Sequence, residues 1–427
     1  MNPLALAMAA AAFLAGEPGP AELIVFLGSA DRVEREEAAR TLEELGPEAL
    51  PALRDAGKAG PGEVPKRASG LARAIEGRLL EKPTLVEFDF DGLPLDEATR
   101  ALAARSGHAL VLDPGNDPGL PLRPIRAKSP APVPFWEALD LLGRAGHVRH
   151  DPGARPEKPS HLAVLHLADG EPPASTLYRG PFRVHLLGLH ARRDLDLRGN
   201  PPGRARASRG TLYVELQAFA EPGRSIDPDG MPSLGATDDQ GRPVPPPPVD
   251  AEWPRPPRGS WIAPGAPSLL QWRLPLGLPG PGAASLRRLG GKMPVVVSAR
   301  RPDPLVIPLD DAPGKSYRHE EATIRFRIVQ DAGKNHFQVE ITLTPDPAPA
   351  GSRADRGPAL PLDQFAFEDR DGHPLPWLPM NQGPAQGGET RLQVLISGGE
   401  RPIRLLHHGL IRASTEIPFE FVDVPLP

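Results

Sequence analysis

The sequence predicts a multi-domain α+β protein. It comprises an N-terminal α-helical unit over residues 21–80, a small βαββαβ domain over 84–170, and two C-terminal antiparallel β-sandwich domains over 182–310 and 317–427. Three observations lead there. The chain carries 58 prolines and 44 glycines among 427 residues, roughly twice the usual share, which favours short strands over long helices. Apolar residues recur at helical spacing mainly in the Pro-poor stretch before residue 80. Beyond residue 182 they alternate with polar ones, the period of half-buried strands.

The balance of 49 Lys and Arg against 54 Asp and Glu gives a net charge of −5, which argues against a strongly basic nucleic-acid binder. With 39% hydrophobic residues but only 5% aromatics, the cores must rest on Leu, Val, Ile and Ala. The chain contains no Cys, so disulfides, thiolate zinc sites, Cys nucleophiles and lipid anchoring on Cys are excluded together. Met1–Ala15 is apolar and uncharged, and Gly16-Glu17-Pro18-Gly19-Pro20 follows it. Residues 1–20 therefore read as a signal peptide and linker, which places the protein in the periplasm or outside the cell. The run is shorter than the roughly 20 residues of a membrane span, and no transmembrane segment is expected in the mature chain.

In the helical unit Asp31 stands as an N-cap before Arg32-Val33-Glu34, with Glu34 placed to reach back. Ala38, Ala39, Leu42 and Leu45 form an apolar stripe, Gly46 ends the helix and Pro47 opens the next. Leu50 and Leu53 continue inward, and Leu71, Ala72, Ile75 and Leu79 make a further stripe. The run Asp31–Leu53, with its Ala-Ala helix followed by Gly-Pro-x-Ala-Leu-Pro-x-Leu, resembles a HEAT repeat. One or two such repeats are fewer than a free-standing array needs.

In the next domain Val86, Phe88 and Phe90 alternate with Glu87 and Asp89 as a strand. Helices follow over Pro94–Ser106 and Pro134–Ala145, each with Pro at its start and Gly after it. Ala109–Leu112 is a short strand, and Val148–His150 with His161–His166 forms a hairpin. This order, carried by Val86-Glu87-Phe88-Asp89-Phe90, Leu93–Ala98, Ser106-Gly107 and Pro134–Leu139, resembles the short N-terminal domain of secretins and TonB-dependent receptors. The resemblance implies contacts within envelope assemblies. No secretin pore sequence follows, so a channel is not implied.

Ten strands are expected in the second half: Arg183–Leu189, Thr211–Ala218, Leu269–Leu274, Val295–Ala299, Leu305–Leu309, Ala322–Val329, Phe337–Leu343, Gln364–Phe367, Leu392–Ile396 and Glu416–Val422. An internal repeat runs through them. Leu212-Tyr213-Val214-Glu215-Leu216 precedes Asp238-Asp239-Gln240-Gly241-Arg242-Pro243-Val244-Pro245. At a similar distance, His336–Ile341 precedes Asp369-Arg370-Asp371-Gly372-His373-Pro374-Leu375-Pro376.

No familiar constellation of catalytic residues emerges. The twelve His lack zinc-site spacing, and they read as surface or hairpin residues. The paired carboxylates at 238–239 and 369–371 read as Asp-Gly turns, with a hydrolase as the lesser alternative. Gly314-Lys315-Ser316 and Gly290-Gly291-Lys292 are incomplete as phosphate loops, and no cofactor or metal is expected. Arg204, Arg206 and Arg209 are candidates for an anion-binding patch. Trp253, Trp261 and Trp272 are either ordinary core or an aromatic platform for sugars or a partner.

These readings converge on an exported, non-enzymatic protein–protein interaction or scaffold protein with an envelope protein partner. The edge of the small α/β sheet near Leu122, Ile125 and Ala127 is the expected contact. The alternative is a carbohydrate- or polymer-binding protein that uses the sandwiches.

Overall fold

The computed structural model describes residues 18–115, 117–152, 164–194, 209–246, 269–319, 322–333, 336–345, 364–384, 389–397 and 401–427. They form a mixed α+β chain, mostly β, in several sheets. The chain divides into two compact units, one ending at Lys82 and the other beginning at Pro83. The apolar segment Met1–Ala15 lies outside the described residues.

The first unit is helical: α1 Pro20–Phe26, α2 Arg32–Leu45, a 3-10 turn Gly46–Ala49, α3 Leu50–Gly57 and α4 Glu63–Glu81. Leu23, Leu27, Ala38, Leu42, Leu50, Leu53, Ala72 and Ile75 close its core. Asp31 caps α2 by accepting the Val33 N–H at 2.8 Å. The expected return contact from Glu34 is replaced: Ser29 Oγ donates to the Glu34 carboxylate at 2.6 Å and accepts the Asp31 N–H at 3.1 Å. One hydroxyl thus does what the box would have done. Gly46 adopts φ +60° at the end of α2, a conformation that glycine tolerates without strain. Buried Glu76 on α4 holds Arg54 of α3 at 2.9 Å.

The second unit begins with β1 Leu85–Val86, α5 Leu95–Ser106, β2 Ala109–Leu112, β3 Val133–Pro134, α6 Phe135–Gly146, β4 Val148–His150 and β5 Val164–Asp169. Strands β1 and β3 pair antiparallel. Residues 88–95 and 123–129 extend this pairing irregularly, with Phe90 N–H on Ala127 O, Gly92 N–H on Ile125 O and Ile125 N–H on Leu93 O. A second sheet has the order β2-β5-β4, with β2 parallel and β4 antiparallel to β5. Val86, Phe88 and Phe90 are buried as their alternation predicts, in a core with Leu95, Leu102, Phe135, Trp136, Leu139 and Leu165.

Strands β6 Thr176–Arg179, β7 Phe182–Asp194, β8 Arg209–Ala220, β9 Arg224–Pro228, β10 Ser233–Asp238, β11 Leu269–Gly277 and β12 Ser285–Arg300 follow. The remainder are β13 Leu305–Pro308, β14 Ser316–His319, β15 Ala322–Gly333, β16 His336–Pro345, β17 Phe365–Glu368, β18 Pro374–Leu375, β19 Trp377–Pro384, β20 Thr390–Ser397, β21 Arg404–His407 and β22 Leu410–Pro425. All ten expected segments fall on strands, with Leu309 and Gln364 one residue outside β13 and β17. They build four sheets: β11-β8-β7-β6; β10-β12-β22 with β9 also on β12; β14-β15-β16-β20-β19; and β13-β21-β17-β18. Ile324, Phe326, Val339, Ile341, Leu392 and Val394 of the third share one core with Ile307, Phe365, Phe367 and Leu405 of the fourth.

Two pairings cross residues 310–317, where the sequence reading places a domain boundary. β12 pairs along its length with β22, from Ser285 opposite Pro425 to Arg300 opposite Leu410. β13 pairs with β21, from Leu305 opposite His407 to Pro308 opposite Arg404. The Arg301 N–H bonds Gly409 O at 2.8 Å between them. Residues 285–308 and 404–425 therefore form one antiparallel ribbon shared by two sheets. Period-2 patterning assigns a strand's faces but not its partner, so this exchange has no local signature.

The repeat is visible in the turns. Asp238 Oδ1 accepts the N–H groups of Gln240 and Arg242 at 3.1 and 2.9 Å, and Gly241 sits at φ +78°. Asp369 Oδ1 accepts those of Asp371 and His373 at 2.9 and 2.8 Å, and Gly372 sits at φ +83°. Glu215 and Glu340 occupy matching strand positions, and each faces an arginine of a neighbouring strand: Arg273 at 3.8 Å and Arg391 at 2.6 Å.

Candidate functional site

A dense gathering of ionisable side chains lies where the α/β region meets β6, β7 and β8. Trp136 and Asp140 are four residues apart on α6 and share one helix face. Arg183 and His185, two apart on β7, share one strand face. Arg183 Nη1 donates to Asp140 Oδ1 at 2.8 Å, and the Tyr178 hydroxyl donates to Asp140 Oδ2 at 2.8 Å. Arg183 Nη2 donates to His150 Nδ1 at 2.6 Å, which makes that nitrogen an acceptor. The guanidinium carbon lies 4.1 Å from the Trp136 ring centre and 4.7 Å from that of Phe219.

Burial and neighbouring charge set the electrostatics. Asp140 and Arg183 are each only 2% exposed. Burial first, then the Arg183 charge, holds His150 well below the ordinary histidine value. The same two causes take His185 down to about 3. Burial, then Asp140, raises the Tyr178 phenol. Both Asp140 oxygens are occupied by protein donors, and the Arg183 guanidinium sits in the corner formed by the Trp136 and Phe219 rings. The arrangement is a closed joint that fastens a helix to a sheet. A second clasp lies nearby in sequence, where Glu221 accepts the Thr84 N–H and hydroxyl and pairs with Arg224 at 2.7 Å.

What the α/β region does present is an edge. In the order β2-β5-β4, strand β2 has β5 on one side. The Asp113 N–H bonds Leu167 O of β5 at 2.8 Å, so by the two-residue alternation of a ladder the backbone groups of Leu110 and Leu112 face away from β5. Val111 is 44% exposed, while Leu110 and Leu112 pack against the core.

The edge differs from the one expected. Leu122 is exposed, at the end of a 3-10 turn. Ile125 is fully buried in the core, and Ala127 is partly buried with its carbonyl accepting the Phe90 N–H. Residues 123–129 are thus occupied along 88–95, and among the described residues β2 has a sheet neighbour, β5, on one side only. Trp272 is core, 3% exposed; Trp253 and Trp261 lie outside the described residues, as do Arg204 and Arg206. Arg209 opens β8.

Histidine placement also needs correction. His185 and His407 are each 2% exposed, whereas His150 lies on the β4–β5 hairpin and contacts buried Arg183. Sequence reading missed Asp140, Arg183 and Tyr178 altogether. A charged residue on the apolar face of α6 was the one available sign. Comparison with protein families, curated proteins and solved structures finds no match for this chain.

The Asp-Gly turns spend their carboxylates internally. Burial raises the Asp238 carboxyl, but the Arg242 amide and guanidinium outweigh it and leave the group below its ordinary value. At Asp369, burial is likewise outweighed by the amide and ring of His373. Among the described residues, no three or more His, Asp or Glu gather as a metal site.

Proposed function

We propose that the protein is an exported, non-enzymatic protein–protein interaction or scaffold protein of the cell envelope. We read it as a HEAT-like helical unit, an α/β domain of the secretin/TonB short N-terminal kind and two β-sandwich modules. The observation that carries the proposal is the outer edge of β2. Its Leu110 and Leu112 backbone groups face away from β5, beside exposed Val111. An unpaired strand edge recruits an extended segment through main-chain hydrogen bonds, with alternate side chains supplying specificity. The closed joint at Asp140 and Arg183 supports the same reading, because it holds that edge on a rigid base.

The test is site-specific photo-crosslinking. The full chain, with benzoylphenylalanine at exposed Ala109 on the same face of β2 as Val111, is produced in its native cells, irradiated and fractionated. A discrete adduct with an envelope protein is expected, lost in Leu112→Pro, which removes an outward N–H, and weakened in Val111→Lys. An adduct unaffected by both changes, no adduct, or a chain confined to the cytoplasm overturns the proposal.

A further inference from the structure

The helical unit carries a second surface, independent of β2. Arg32, Arg35, Glu36 and Ala39 of α2 line one wall of a cleft of about 440 Å³; Arg67, Gly70 and Leu71 of α4 line the other, and Leu27 completes it. The wall on α2 has the spacing i, i+3, i+4, i+7, a single helix face. Gly70 opens the floor, since a Cβ built there would meet nothing within 4 Å.

The charges in this cleft are held in place. Arg35 Nη1 donates to the carbonyls of Ser29 and Ala30 at 2.8 and 2.9 Å, and Arg67 Nη1 donates to that of Leu27 at 2.8 Å. Both guanidinium groups are therefore fastened to the turn between α1 and α2. Arg67 also meets Glu63 at 3.2 Å, and Arg32 meets Glu36 at 2.6 Å. Arg35 has no carboxylate partner among the described residues. It is a half-buried cation with Nε and Nη2 uncommitted, and holding it by one nitrogen lowers the ordering cost of a bidentate contact.

We propose that this cleft binds a carboxylate-bearing peptide segment of a partner protein. With Arg32 paired to Glu36 and Arg67 to Glu63, Arg35 is, among the described residues, the cation of the cleft left without a carboxylate, and it favours an anionic occupant. The partly exposed apolar side chains of Ala39 and Leu71 sit among the three arginines, so the occupant carries apolar residues beside its acidic ones. The α2 wall spans two helical turns, about 10 Å, longer than one small anion would use.

The experiment presents the full chain with a random dodecapeptide library displayed on phage. The best binder is then synthesised and titrated by fluorescence anisotropy. Selected peptides enriched in Asp and Glu are expected, with affinity falling as salt rises. Arg35→Gln and Gly70→Leu should each weaken binding at least about tenfold, while Leu112→Pro leaves it unchanged and so separates this site from β2. No binder above background, binders without acidic enrichment, or a titration unmoved by both cleft variants overturns the proposal. Equal competition by inorganic phosphate at matched ionic strength also overturns it.

Discussion

Asp140 and Arg183, 43 residues apart in the chain, meet at 2.8 Å with only 2% of each exposed. A buried ion pair is seldom a net gain over apolar residues of similar volume, yet removing one partner strands a charge in a medium that cannot solvate it. The pair thus couples two elements tightly without being the main source of stability.

Asp140→Ala and Arg183→Ala are each expected to destabilise the chain by about 3–5 kcal/mol. The double change Asp140→Leu with Arg183→Met should recover most of that loss. Urea unfolding followed by tryptophan fluorescence, with Trp136 in the cluster, reads both. Single variants within about 0.5 kcal/mol of the parent would show that the contact carries no coupling.

Acid should weaken the fold through histidines that are buried neutral. Burial, then Arg224, takes His108 down to about 4; burial, then Arg183, takes His185 down to about 3. Burial, then His319 and His408, takes His407 down to about 4. Below the ordinary value of about 6.5, the unfolded chain binds protons that the native chain refuses. Stability then falls with pH until each folded value is passed, by up to about 1.4 kcal/mol per pH unit for each group. Urea midpoints measured between about pH 7 and pH 4 should decline, and His407→Asn should flatten the decline by one group's share. An unchanged slope in that variant would remove His407 from this account.

The carboxylates of the repeated turns act in the opposite sense to a buried acid. Their folded values are depressed, so their contribution is complete above the unfolded value of about 3.9 and is lost as pH falls through the folded one. Asp369→Asn should therefore cost most near neutrality and little in strong acid. Gly372→Ala, forced to φ +83°, should cost about 1–2 kcal/mol at any pH. Thermal unfolding of the two variants across pH distinguishes carboxylate from backbone.

Two helical glycines should respond in opposite directions to the same substitution. Gly70→Ala meets open space and should stabilise α4 by up to about 1 kcal/mol through helix propensity. At Gly143, a Cβ would lie 2.5 Å from Val148 O and 2.9 Å from Pro172 Cγ. Gly143→Ala should therefore destabilise by about 1–3 kcal/mol despite the better propensity. Equal shifts in melting temperature would contradict the close approach of α6 to β4.

Local patterning carries the strands well because alternation is a property of a few consecutive residues. Leu392, Val394 and Ile396 point inward where their spacing places them. The turn after Asp238 was legible for a similar reason: Asp and Gly encode its bonds within five residues. Arg183 was not legible, since an arginine beginning a strand reads as solvent-facing until a distant carboxylate is known to meet it. Ile125 was misplaced because it lies in a Pro-rich stretch without periodicity, so nothing local separates an exposed edge from a core plug. The strand Trp377–Pro384, interrupted by prolines, also lacked a clear signal, although its pairing with β20 is continuous apart from one bulge.

The ribbon of residues 285–308 with 404–425 has a consequence for synthesis. A sheet whose other strands emerge from the ribosome more than a hundred residues earlier must wait for β22 before that flank of Ser285–Arg300 can be covered. During translation the nascent chain therefore offers a long bare strand to any neighbour. Deleting residues 410–427 should expose Val295 and Val297 far upstream while leaving the preceding helices intact.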